Sequence, residues 1–527
     1  MESSCVRQNL IPGTSQLYSD YLYQFNRVKR FFPYCSWDAE QVIEAAQQVQ
    51  YPAERRARLV AALREQNGDS PALDKLAQEG TVAVVTGQQV GFLTGPAYTV
   101  FKALTAVKLA AHLNEQGVAA VPVFWLATED HDFAEVDHAW VFDKEATPAR
   151  ISLTDAGVTG GPVGDVVLNA IPLEELRLAL GGLPFADEVM QRVEAAYSPG
   201  VTLGASFRKL VGEILQGLGL LFLDPLAPAI REITAPFLSD AIDQLPDLTA
   251  ALRERNTELE QAGYHAQVHV EKDASLLFLL NEGRRTAIRW NDDTARFVCK
   301  DRNYSAAELK AMGTRLSPNA LLRPVLQDYL LPTASYVGGP AEIAYMAQGQ
   351  VLYQGLLGRM PVIYPRNGFT LLDSRAAKLL DKFGLRLVDV LDHQEKVRGR
   401  MAAMLVPADL AGRLNTLRAE FSRSLTSLQV DLRKFDPTLE SAAKKSAAKV
   451  EYQIQKLSQK TARETLRRDE RASKDADFLI HSLYPHRHLQ ERFYSILPFL
   501  AKHGWDLPQQ LLGMVQLSCP DHMIRTI

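Results

Sequence analysis

Apolar and polar positions divide this chain into segments of different kinds. Residues 82–85 and 118–126 are apolar runs without alternation, the pattern of strands buried on both faces of a parallel sheet. Between them Val100, Leu104, Val107 and Ala111 recur at spacings of four, three and four, which predicts a helix opening at Pro96. Gly117 stands where the glycine closing a helix belongs. Strand, glycine loop, helix and strand make a βαβ unit. The same grammar returns at residues 220–223, which end in Asp224-Pro225. It returns again at residues 332–337, where Gly338-Gly339 forms a turn and Pro340 opens a helix, and at residues 361–364, which run into Arg366-Asn367-Gly368. Several strands that end in polar or glycine-rich loops predict one functional sheet edge.

Other segments fill in the frame. Tyr18, Tyr21, Leu22 and Phe25 form an aromatic face at helical spacing, and helices are expected from Asp38 and over residues 52–66. Residues 140–143 predict a further strand, and the glycine-rich stretch 145–200 an insertion in the sheet domain. A helix through Leu215 and a long helical stretch over 228–262 follow. Residues 265–270, 276–280, 286–290 and 295–299 predict a small antiparallel patch, and residues 318–330 a helix carrying Arg323, Gln327 and Asp328.

The C-terminal third changes period. Leu410, Leu414, Leu417, Phe421, Leu425, Leu428, Leu432 and Phe435 alternate spacings of three and four, with one repeat of four. Asp436-Pro437 then supplies an N-cap and a first helical residue. Ala443, Ala447, Val450, Ile454 and Leu457 continue on a second arm, so an antiparallel coiled-coil hairpin is expected, each arm reaching roughly 40–50 Å. The organisation expected is a helical segment over 1–80 and a parallel-sheet core over 81–392 with insertions near 145–200 and 265–315. The hairpin covers 393–474, and helices over 475–527 return to the core.

Composition narrows the class. At 527 residues, with 46% hydrophobic and 23% charged residues, the chain can bury a large core. A net charge of -4 gives no overall pull toward nucleic acid or anionic membrane. The second arm holds ten Lys/Arg against four Asp/Glu over 441–474 but almost no aromatic residue to stack bases, so it reads as a solvated face. Cys5, Cys35, Cys299 and Cys519 lack CxxC spacing, which argues against a disulfide framework or a structural zinc site. No apolar run approaches a membrane span and no signal core opens the chain, so a cytoplasmic protein is expected.

Three clusters could carry chemistry. Thr86, Gly87, Gln88 and Gln89, with Thr94 and Gly95 ahead of Pro96, could hold an anion on backbone N–H groups at a helix start. Lys102 lies one to two turns into that helix, where a surface lysine is the commoner case. Glu129, Asp130, His131 and Asp132, with Glu135 and His138 beyond, could supply a general base or hold an ammonium group. No HExxH is present and no metal is expected. Gly338, Gly339 and Glu342, with Arg366 and Asn367, form the third cluster, in which Arg366 could pair with a carboxylate or phosphate.

These residues also carry a resemblance. The blocks TGQQVGFLTGPAYTVFKALTAVKLA, PVFWLATEDHDFAEVDH, LLRPVLQDYLLPTASYVGGPAEIAYMAQ, YPRNGFTLLD and LQERFYSILPFLAKHG are similar to those of the BshC family of bacillithiol biosynthesis. The resemblance implies a Rossmann-like core related to class I nucleotidylyl transferases, with connecting insertions and a coiled coil through which two chains dimerise. It implies a ligase that joins L-cysteine to glucosaminyl malate through an amide bond, with carboxylate activation. It further implies ATP or another adenine nucleotide near the base of the coiled coil, with Gly368, Leu489, Gln490 and Glu491 as the residues concerned. The chain departs from the nucleotidylyl-transferase HxGH motif, since Thr94-Gly95-Pro96-Ala97 stands there without a histidine. A rival reading is a non-catalytic nucleotide-binding coiled-coil scaffold.

Overall fold

The computed structural model describes every residue except 1, 2, 37, 155, 156, 158, 159 and 393; residue 393, the first of the expected hairpin segment, therefore lies outside the described residues. Five strands form an all-parallel sheet in the order Val362–Pro365, Thr333–Gly338, Val82–Gln88, Ala120–Leu126, Leu221–Leu223. The chain is thus an α/β protein with a Rossmann-like core. Its strands are buried on both faces, and period two divides them. Ala83, Val85, Val121, Val123 and Trp125 enter one core with Tyr18, Tyr21 and Phe31. Val82 and Val84 enter another with Leu109, Ala110 and Leu113 of the Tyr98–Glu115 helix.

The first strand in the chain lies at the sheet centre. From Val82–Gln88 the chain moves to one side, through Ala120–Leu126 to Leu221–Leu223; from Thr333–Gly338 it moves to the other, to Val362–Pro365. The reversal falls between the adjacent strands Val82–Gln88 and Thr333–Gly338. In open parallel sheets the crevice beyond the carboxyl ends at such a point receives the ligand.

The insertions differ in part from the sequence expectation. Among the described residues, His138–Phe142 pairs along its length with Pro148–Ser152, antiparallel, meets Tyr494 in a single parallel bridge at Trp140, and does not extend the parallel sheet. The antiparallel patch has five strands, from Ala274–Asn281 to Leu316–Pro318. Residues 265–270 are not a strand. The Gln348 side chain takes their ladder bonds instead: its Oε1 accepts from Val268 N at 2.8 Å, and its Nε2 donates to Val268 O at 2.8 Å. The helix expected from Pro318 begins at Arg323. Pro318 ends a strand, and the Asn319 carboxamide oxygen accepts from the N–H groups of Leu321 and Leu322, both at 3.0 Å, before the helix can start.

Helices Ala408–Phe435 and Pro437–Arg468 form the hairpin. Asp436 caps the second arm by accepting from Thr438 N at 2.7 Å. The chain then returns: Phe493, Tyr494, Ile496, Leu497 and Leu500 enter the core that also holds Phe92, Leu93 and Phe101. The last strand, His522–Thr526, lies between Ser3–Val6 and Phe369–Leu372, so both ends of the chain close into one small sheet.

Candidate functional site

A cavity of about 530 Å³ opens at the carboxyl edge of the parallel sheet. Four strand ends reach it, through Gln88 and Gln89, through Glu129, Asp130 and His131, through Gly339, and through Arg366. The antiparallel insertion closes the opposite side with Phe278, Arg285 and Pro318, and the following helix adds Arg323. Gln89, His131 and Arg366, which are 277 positions apart at the extremes (366 − 89), therefore share one hollow.

The floor is an ion pair. Lys102 is 1% exposed, and its ammonium lies 2.8 Å from both carboxylate oxygens of Glu342. It also donates to Gly87 O, and to Gln88 Oε1 at 3.2 Å. The lysine is thus a buried member of the site, not the surface residue expected. Glu342 further accepts from the Tyr336 hydroxyl at 2.5 Å and from Gly339 N at 2.7 Å. Burial would raise its carboxyl, but the Lys102 charge and these hydrogen bonds outweigh it and hold the group below the usual carboxylate range. Gly87 is needed beside it: a Cβ there would lie 2.8 Å from Trp125 O on the neighbouring strand.

One wall carries the acid–imidazole cluster. Asp130 Oδ1 accepts from His131 N at 2.7 Å, and Oδ2 accepts from Gln89 Nε2 at 2.6 Å. Gln89 also bridges to Glu135 at 2.7 Å, which orients its amide. His131 Nδ1 lies 3.0 Å from Arg285 Nη1. A guanidinium can only donate, so Nδ1 is the acceptor and the neutral imidazole carries its proton on Nε2. Glu129 is buried against Arg231 at 2.7 Å; burial pushes its carboxyl up and the arginine opposes it.

The remaining charge is positive. Arg323 donates to Gln327 Oε1 at 3.0 Å and to the Tyr345 hydroxyl at 3.2 Å. Arg285 lies 3.9 Å above the Phe278 ring and donates to Pro318 O at 2.7 Å. Among the described residues, neither makes an ion pair with a carboxylate, and Arg492 at the rim makes none either. Guanidinium groups held in place without a carboxylate suit an anionic ligand. Tyr98, Trp125, Tyr336 and Tyr345 add flat apolar surface.

The other candidate residues lie outside this cavity. Thr86 is buried, its hydroxyl donating to Val337 O at 2.9 Å. Thr94 and Gly95 face the returning C-terminal segment: the Thr94 and Ser495 hydroxyls are 3.2 Å apart, and Ala97 N donates to Tyr494 O at 2.7 Å. The loop is consumed in packing, with Val90, Phe92 and Leu93 in the core. Gly338 is buried at its strand end, and its carbonyl accepts from Arg366 N at 2.9 Å. Asn367 is buried and bonds to the backbone of Gln516. Asp132 is exposed, outside the lining.

Arg366 lies between two hollows. Its guanidinium pairs with Glu491 at 2.6 Å, and both side chains are buried. Burial alone would raise Glu491, yet Arg366 and the Phe369 N–H hold its carboxyl below the usual range. Leu489 and Glu491 line a second cavity of about 110 Å³ with Arg487 and Arg492. That volume is small for a whole nucleotide. Gln490 is tied to both backbone groups of Leu371, and Gly368 packs against His522 and Glu491.

Comparison with known proteins covers the whole chain. The family model described as the N-terminal Rossmann-like domain of bacillithiol biosynthesis BshC matches residues 1–367, and that of the C-terminal coiled-coil domain matches residues 369–527. A protein of Solibacter usitatus named "Putative cysteine ligase BshC" is 49% identical over 527 residues, all of both chains. A protein of the same name from Koribacter versatilis is 35% identical over 99% of each chain, and one from Symbiobacterium thermophilum 33% over 88% of each.

Proposed function

The chain belongs to the BshC family of bacillithiol biosynthesis, and on that premise we propose that it is the ligase joining the carboxyl group of L-cysteine to the amine of glucosaminyl malate. The observation that carries the reading is the cavity's charge pattern: a carboxylate–imidazole cluster sharing one hollow with arginines that lack carboxylate partners. Malate brings two carboxylates, and Arg323 and Arg285 are matched to them. The aromatic side chains offer faces to the sugar.

Amide formation needs a deprotonated amine and an activated carboxylate. Asp130, its orientation fixed by Gln89 and the His131 N–H, accepts the amine proton. The Nε2–H of His131 donates to an oxygen of the reacting carboxylate. An adenine nucleotide bound as co-substrate would supply the activation of the carboxylate, its phosphate portion leaving as the amide bond forms. Homodimerisation through the coiled coil is part of the same reading: Leu417, Leu428, Val450 and Leu457 stand exposed on its arms.

Purified protein supplied with cysteine, glucosaminyl malate and ATP should yield bacillithiol by mass spectrometry, and should not without ATP. Absence of product with every component present would favour the scaffold reading. Arg323→Gln should raise KM for glucosaminyl malate roughly 10- to 100-fold, from loss of about 1.5–3 kcal/mol of charge-assisted hydrogen bonding. KM for cysteine should change far less. An equal rise for both substrates would remove the malate assignment.

A further inference from the structure

Outside the sheet edge, one group of side chains brings together metal-binding atoms from the two ends of the chain. We propose that Cys5, Cys519 and Asp521 form a binding site for a thiophilic divalent cation of the zinc class. Each offers one ligand atom, and the three atoms lie within 4.8 Å of one another. Cys5 Sγ and Asp521 Oδ2 are 3.8 Å apart. Tetrahedral zinc, with bonds of about 2.3 Å to sulfur and about 2.0–2.2 Å to oxygen, separates such ligands by roughly 3.6 Å. The site therefore needs to close by only about 1 Å to hold the ion.

Strand pairing builds it. Cys5 stands opposite Met523 in the antiparallel pair that joins the chain ends, and Cys519 and Asp521 lie just before that strand. The wide sequence separation argues against a site made by one segment; closure of the termini makes one from two.

The carboxylate is oriented as metal ligands commonly are. The Tyr23 hydroxyl donates to Asp521 Oδ1 at 2.6 Å, leaving Oδ2 toward Cys5. That hydroxyl accepts from Gln8 N at 2.8 Å, and Arg7 lies 4.4 Å over the tyrosine ring. Cys5 is exposed, which gives the ion an entry path, and three protein ligands leave a fourth position to water.

The cation would fix the segment that backs the cavity wall. The residue after Asp521 is His522, buried, with Nε2 2.7 Å from the Thr370 hydroxyl. It packs beside Gly368 and Glu491, the partner of Arg366.

The test uses the full-length chain, reduced, loaded with Zn²⁺ or Co²⁺ and freed of excess by gel filtration. One metal per chain should remain, and the Co²⁺ form should show thiolate-to-cobalt charge transfer with tetrahedral d–d bands. Cys5→Ser, Cys519→Ser and Asp521→Asn should lose it, whereas Cys35→Ser and Cys299→Ser keep it. In the unmodified chain, bound Zn²⁺ should shield Cys5 and Cys519 from alkylation but leave Cys35 reactivity unchanged, a readout that needs no variant. Failure of the reduced wild-type chain to retain metal, or retention undiminished in Cys5→Ser and Cys519→Ser, would overturn the proposal.

Discussion

Replacing Asp130 with Asn should lower turnover by about 10²- to 10⁴-fold, the usual contribution of a positioned general base. The carboxamide keeps the shape, and its oxygen can still accept from the His131 N–H, so the loop should hold its place; toward Gln89 its NH2 replaces the accepting oxygen. What it loses is the capacity to take a proton. The effect should therefore fall on kcat more than on KM for either substrate. His131→Ala removes a donor and not the base, so its loss should be smaller, about 10²- to 10³-fold, as for one donor to a developing oxyanion. Both residues lie at the cavity mouth, with Asp130 at 30% and His131 at 43% side-chain exposure, so unchanged circular dichroism is expected. Steady-state formation of bacillithiol by the purified variants is the measurement. Near-wild-type kcat in folded Asp130→Asn would move the base elsewhere, with Glu129 next along the same wall.

The sheet edge was legible because its signals are local. Each parallel strand is a short apolar run that stops at polar or glycine residues, so the ends of Val82–Gln88, Ala120–Leu126 and Thr333–Gly338 could be read one at a time. Their convergence follows from parallel pairing, which sets the carboxyl ends of neighbouring strands at one edge of the sheet. The opposite wall was not legible. Phe278 and Arg285 reach the cavity only because the antiparallel insertion folds back over the sheet, and nothing periodic records such a contact. The loop around Thr94 was misleading for a related reason. Glycines and a following proline suggest an anion cradle, but the segment over 489–504 returns from the hairpin and occupies that face. Lys102 did leave a trace, being the single charged residue from Thr81 to Val107. A lone charge inside so apolar a stretch has to find a partner, and the partner, Glu342, lies 240 residues on, beside the adjacent strand.

That pairing makes Lys102→Met the most destabilising single change expected in the core of the site. Removing one member of a buried ion pair leaves the other charge uncompensated, at a cost of about 3–5 kcal/mol. Glu342 keeps the Tyr336 hydroxyl and the Gly339 N–H and is 19% exposed, which points to the lower end, about 3 kcal/mol. The double variant Lys102→Met/Glu342→Gln should regain part of this, because no buried charge is then left alone. The pH dependence has a definite sign. Glu342 is held below its usual range, so the stability it contributes is complete above its unfolded value, about 4.3, and is lost as pH falls through the lower folded value. Wild type and Lys102→Met should therefore differ most near neutrality and converge in acid. Urea unfolding of the wild type and both variants at pH 7 and near pH 4 tests this. A gap as wide in acid as at neutrality would show that lost packing around the lysine stem, and not the charge pair, sets the cost.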